Sequence, residues 1–209
     1  MNIIIDDNDN PLIIKVASIP SARMQVYFLD NEDYFQRKHV FRDKEQKFFE
    51  DNDERAIFFC KGALETVKKL GWSPDVVHCH GWMTALVPAY IKTIYKEDPT
   101  FKNSKVVYSL YKSEFSEKLN EDFAKKAVMN GMTEEDTKVF AQTDSIGVDC
   151  GAISYSDAVV IGDENIENDV LNYVKNSNKP TLAYNLTEDF ENYFNFYEEL
   201  TQNELISVA

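Results

Sequence analysis

From Asp53 onward the sequence switches repeatedly between two hydrophobic periods, and that alternation limits what the chain can fold into. "DERAIFFCKGALETVKKLG" sets Ile57, Phe58, Ala63, Leu64, Val67 and Leu70 at helical spacing, and Lys68, Lys69 and Gly71 mark its end. "DVVHCH" then reads as a short buried strand. "MTALVPAYIKTIYKE" reads as a helix with Pro88 in or near its first turn, where the missing N–H is least disruptive. "KVVYSL" is the next strand, and "EKLNEDFAKKAVMNG" is an amphipathic helix closed by Asn130-Gly131. "DAVVIGD" and "ENIENDVLNYVKNS" repeat the pair, and "TLAYN" with "EDFENYFNFYEELTQNEL" makes a last strand and helix. Such alternation predicts βαβ units: an α/β chain with a parallel or mixed sheet and helices on both faces.

The first 52 residues follow another rule. "NIIID", "PLIIKVASI" and "RMQVYFLD" are short Ile- and Val-rich runs punctuated by Asp-Asn and Pro, so this part is strand-rich. "NEDYFQRKHVFRDKEQKFFEDN" has no clean period and reads as an irregular connection. The expected organisation over residues 1–209 is one domain: a strand-rich part (1–52), a βα core (53–178) and a closing strand and helix (179–209). Whether the first strands form a separate hairpin or join the main sheet is left open by the pattern.

Composition then excludes several functions. The formal charge of −14 argues against nucleic acid and anionic membrane surfaces, which both need a basic footprint, but not against a neutral polysaccharide. No apolar run is long enough to span a bilayer, and "MNIIIDDNDNPL" lacks the regions of a signal peptide. Cys60, Cys79 and Cys150 are odd in number and widely spaced, as reduced thiols are. The expectation is a cytoplasmic protein. None of the seven glycines builds a GxGxxG or P-loop pattern, so no cofactor is expected.

The densest chemistry lies in "PDVVHCHGWMTALVPAYIK". Side chains alternate along a strand, so His78 and His80 share one face and Cys79 faces the other. A zinc site would need a third ligand, yet the remaining histidine is the distant His39 and no CxxC or HxxxH spacing exists, so no metal is expected. One reading makes the histidine pair a hydrogen-bonding device at the end of a buried strand. The other makes His78, His80 and Trp82 ligand-binding, because open α/β sheets bind ligands beyond their strand carboxyl ends. Tyr111 and Lys112, at the end of the next strand, either face the same crevice, to stack on a sugar and meet a phosphate, or form an exposed strand end. Cys79 reads as a buried strand residue rather than a nucleophile, Asp157 as a cap or turn residue, and "TEEDTKVFAQTD" as a solvated loop or helix start. Phe190, Tyr193, Phe194 and Tyr197 read as the helix face that packs on the sheet rather than a sugar platform.

"PDVVHCHGWMTALVPAYIK", followed by "KVVYSLYKSEF", resembles the N-terminal catalytic domain of bacterial glycogen and plant starch synthases. The family runs P-D-[IV]-[IV]-H-x-H-D-W-x-x-[AG]-L-x-P-x-Y and then a strand ending T-[IV]-H-N. "ERAIFFCKGALE" and "CGAISYSDAVVIGDENIENDV" are similar to its flanking segments, and the likeness covers roughly residues 53–175. It implies the Rossmann-like first half of a GT-B glycosyltransferase. The implied reaction is retaining glucosyl transfer from ADP-glucose or UDP-glucose to an α-1,4-glucan, in bacterial α-glucan metabolism.

Against that pattern, no second GT-B domain and no Lys-x-Gly-Gly-Leu loop is found, as if the chain begins after the family's first strand–helix–strand. A doubly wound sheet stripped of that unit should have an open edge, and should dimerise, aggregate or re-pair its strands. Gly81 stands where the family has the acid, and Tyr111-Lys112 where it has His-Asn, so no catalytic residue is assigned at these substituted positions. Preorganised charge is the main stabiliser of such a transition state, and losing one group costs about 10²–10³ in rate. The expectation is a glycogen/starch synthase-like protein that is non-catalytic as it stands and binds an α-glucan or a nucleotide-sugar. The alternatives are a protein-interaction scaffold, by partner or self-association, and one half of a two-chain transferase.

Overall fold

The computed structural model describes residues 1–185 and 190–202. Two antiparallel hairpins come first: β1 (Asn2–Ile5) with β2 (Asn8–Pro11), and β3 (Ile13–Ile19) with β4 (Met24–Asp30). They answer the question the pattern left open, because each is a two-stranded sheet of its own. Both are fastened to the long helix α2 (Asn52–Leu70), which α1 (Glu32–Phe35) precedes. The Lys61 ammonium donates to the Ile4 carbonyl at 3.1 Å, and Leu12 and Leu29 close over Gly62. The connection after β4 is irregular apart from α1, whose first N–H groups are capped by the Asn31 side chain.

The remaining strands form one parallel sheet in sequential order: β5 (Val76–His80), β6 (Lys105–Leu110), β7 (Ala158–Ile161) and β8 (Thr181–Leu182). Helix α3 (Leu86–Lys92) joins β5 to β6. Between β6 and β7 lie α4 (Phe123–Lys126), α5 (Glu134–Thr137) and α6 (Ser145–Tyr155), while α7 (Asn168–Ser177) leads to β8 and α8 (Glu191–Gln202) follows. The expected α/β architecture is therefore present. The hairpin strands do not re-pair with the sheet, so among the described residues β5 is an edge strand.

Alternation along the strands divides the sheet into two faces. Cys79, Val106, Tyr108, Leu110 and Val159 join the main core with α2, α3, α6 and α7. Val107, Ala158 and Val160 face the other way, where Phe196 of α8 closes a smaller cluster.

Three expectations need correction. The helix expected over 117–131 shrinks to α4, because long-range partners win over local propensity. Leu119 donates its N–H to the Thr143 carbonyl at 2.9 Å, and Lys126 is drawn to Asp53 and Glu54 of α2 at 3.0 and 2.7 Å. The helix expected over 83–97 is regular only across α3, after a 3-10 turn at Trp82–Thr84. In α8 the sheet-facing stripe is Tyr193, Phe196, Tyr197 and Leu200, whereas Phe190 and Phe194 are 77% and 60% exposed. Residues 188–189 and 203–205 of that expected helix lie outside the described residues.

Candidate functional site

The carboxyl ends of β5 and β6 and the start of α6 enclose a crevice of about 150 Å³. Its walls are His80, Gly81 and Trp82 after β5, Tyr111 to Phe115 after β6, and Ser145 and Asp149 from α6. The structure thus brings His80, Trp82, Tyr111 and Lys112 together. His78, predicted with them, lies one strand pleat below, half-buried beneath α8.

The histidines form a neutral relay. His78 is hydrogen-bonded through Nδ1 to the Tyr197 hydroxyl at 2.5 Å and through Nε2 to the Ser109 hydroxyl at 2.7 Å. Its ring centroid is 4.0 Å from that of His80, whose Nδ1 meets the Tyr111 hydroxyl at 2.7 Å. Burial, and then the neighbouring His80, push His78 down to about 4, and burial also lowers His80. Both imidazoles are therefore uncharged at neutral pH. Each such ring carries one N–H and one lone pair, so of the two hydroxyls on His78 one donates and one accepts.

Tyr111 is fixed from below by Gly162. A Cβ at Gly162 would stand 2.7 Å from the Tyr111 ring and 2.9 Å from the Leu110 carbonyl oxygen, so the absence of a side chain there lets the ring lie down. Tyr111 stays 38% exposed and lines the crevice. Gly81 is needed for its backbone. It adopts φ 71° and ψ 173°, a region essentially reserved for glycine. A Cβ there would meet only the Tyr111 ring, at 3.9 Å. Trp82 is wall rather than platform: it is 6% exposed, packs against Phe41 and Phe115, and donates its indole N–H to Glu114 at 3.0 Å.

Lys112 is exposed at the rim, beside Asp163. The Asp163 carboxyl is held low first by the Asn165 backbone N–H and also by Lys112. Asp149, on the inner wall, escaped sequence reasoning. It is 7% exposed, accepts from the Tyr108 hydroxyl at 2.7 Å, and is pushed up to about 7 by burial. The signal was there: a single carboxylate in the otherwise uncharged run "SIGVDCGAISY". Ser109, Glu114 and Gly162 carried no comparable mark, and Tyr197 was read only as part of a helix face packing on the sheet.

The other candidates settle into structural places. Cys79 is buried and burial raises its thiol far above the usual range, so it is no nucleophile. Asp157 accepts from the Val106 N–H and the Lys92 ammonium, both at 2.6 Å, pinning β6 to α3. "TEEDTKVFAQTD" begins α5, where the Thr133 N–H is capped by Asp136 at 2.7 Å. No cluster of three metal-ligating side chains occurs among the described residues.

The family described as starch synthase catalytic domain matches residues 3–181. The glycogen synthase of Chlorobium luteolum is 43% identical over 101 residues, covering 48% of this chain and 21% of its own length. That of Chlorobaculum parvum is 33% identical over 153 residues, covering 71% and 30%. This chain thus spans about a fifth to a third of the length of these relatives. Among solved structures, the catalytic domain of starch synthase IV from Arabidopsis thaliana, bound to ADP and acarbose, superposes with a TM-score of 0.67 at 15% identity. That match covers 92% of this chain and 40% of the plant one, and it speaks for the fold. With a family match across most of its length, the α/β chain belongs to the starch synthase catalytic domain family.

Proposed function

We propose that this chain serves bacterial α-glucan metabolism by binding a neutral α-glucan end in the crevice, and that it does not transfer glucose by itself. The observation that carries this reading is the crevice: a fixed aromatic face, the neutral His80 imidazole and buried or rim carboxylates, with Lys112 the one cation lining it among the described residues. Hydroxyl-rich, uncharged ligands suit such walls, and a nucleoside diphosphate does not. The volume agrees, since about 150 Å³ is below the roughly 300–1,000 Å³ of sites that enclose drug-sized ligands. Gly81 and Tyr111-Lys112 stand where the family pattern has an acid and His-Asn, so the groups that would stabilise an oxocarbenium-like transition state are missing. We place this activity in the cytoplasm; no described helix is long and apolar enough to cross a membrane.

Calorimetric titration with maltoheptaose, ADP-glucose and UDP-glucose tests the reading. Saturable binding of maltoheptaose alone is expected. Binding of either nucleotide-sugar, or glucosyl transfer by the purified chain, contradicts it. The edge of β5 that no described strand pairs favours a second reading, in which another polypeptide docks there and completes a two-chain transferase. That reading expects transfer in native lysate and none from purified protein.

A further inference from the structure

Among the described residues that line the crevice, Asp149 is the one ionisable group that the fold buries. Its α6 helix lies on the sealed side of the sheet, and Asp149 lines the crevice while accepting from Tyr108. One carboxyl oxygen, Oδ1, accepts from Tyr108. Among the described residues no donor reaches Oδ2. This oxygen is not sealed in: among the described residues the one buried side-chain oxygen or nitrogen without a partner is Asp53 Oδ1, so Oδ2 of Asp149 keeps contact with solvent. Asp149 lines the crevice, so this open acceptor is available to a ligand held there. The other charge acting on it is that of Glu167, of its own sign. The Lys112 ammonium acts on Asp163 and is not among the groups that shift Asp149.

We propose that Asp149 is the specificity-determining residue of the crevice: its free oxygen accepts a hydroxyl of an uncharged sugar ring and its charge turns away a phosphorylated one. This rests on the reading of the crevice as a carbohydrate site. A sugar hydroxyl donates where a phosphate can offer only oxygens, so a carboxylate facing the ligand separates the two by sign as well as by hydrogen bonding. Tyr111 supplies the apolar face, and Asp149 fixes the rim of the ring that meets it.

The test is titration at pH 8, above the carboxyl's value of about 7, with maltotriose as the neutral probe and glucose 1-phosphate as the anionic one. The unaltered chain is expected to bind maltotriose far more tightly than glucose 1-phosphate, with both affinities measured. Asp149→Asn keeps an acceptor for Tyr108 while removing the charge. It should lose at least about tenfold in maltotriose affinity, as the loss of a hydrogen bond to a charged group commonly does, and should narrow the preference between probes by a similar factor. Asp149→Ser repeats the measurement if the first variant folds poorly. The ratio between probes is independent of the folded fraction, so a merely structural role would not move it. An unchanged ratio and affinity in both variants overturns the assignment while leaving the carbohydrate reading standing. Binding of neither probe by the unaltered chain overturns both, and a preference for glucose 1-phosphate overturns both as well.

Discussion

The two faces of the parallel sheet were built for different ends. Beneath α2, α3 and α6, the face carrying Cys79, Val106, Tyr108, Leu110 and Val159 is sealed, and its aromatic and aliphatic groups are buried. The opposite face carries His78, His80 and Ser109 along with its valines, and among the described helices α8 alone packs there. Dispersion and the hydrophobic effect act on the first face wherever a methyl group touches another. On the second, polar groups must each find a named partner, and the relay Tyr197–His78–Ser109 is how they do so. Stability resides mainly on one face, and the chemistry sits where the two meet at the strand ends.

That contrast can be broken most forcefully from the sealed side. Phe58→Ala should cost about 3–5 kcal/mol by denaturant unfolding, whereas Leu200→Ala, on the half-buried stripe of α8, should cost less than half as much. Equal costs would show that the faces do not differ as described.

Acid should separate them next. The folded His78 value of about 4 lies below its unfolded value of ~6.5. The unfolded chain therefore takes up that proton first, and the His78 contribution is full above pH 6.5 and is lost as pH falls toward 4. Asp149, raised from 3.8 to about 7, runs the other way, its contribution falling as pH rises through that interval. The unaltered chain should thus lose stability relative to His78→Gln on acidification from pH 6.5 to 4, by on the order of 3 kcal/mol at the limit. A stability difference independent of pH would remove the buried neutral imidazole from the account.

Gly81→Asp restores the family's acid at a position where the backbone opposes it. Space is available, yet the φ of 71° with ψ of 173° should cost about 1–3 kcal/mol, with no gain of glucosyl transfer. Recovery of transfer at unchanged stability would mean that the substitution alone had silenced the site. The smallest effect belongs to Tyr197→Phe, which removes one hydroxyl from the relay and should cost about 0.5–1.5 kcal/mol in thermal or denaturant unfolding.

The same division decided what could be read in advance. Period and breakers announced β5 to β8 with α2 and α7, because a buried parallel strand and an amphipathic helix follow from local pattern, whereas α6 went unread, since its apolar residues are spread around the helix rather than along one stripe. The segment from 117 to 131 has an equally clear helical pattern, but Lys126 is drawn to α2 and Leu119 is tied to Thr143, and neither partner is local. In the crevice, His80, Trp82, Tyr111 and Lys112 were legible as motif positions at strand ends. Trp82 proved to be wall, since Phe41, which packs on it, comes from an unpatterned connection. Gly162 could not be read as the seat of Tyr111, because only the register of β6 with β7 places the two side by side.

The most direct measurement is a crystal structure of the chain soaked with maltotriose at pH 8. The account predicts density for a sugar ring in the crevice, against Tyr111 and with a hydroxyl on Asp149. A saccharide held elsewhere on the molecule, with the crevice empty, would contradict it.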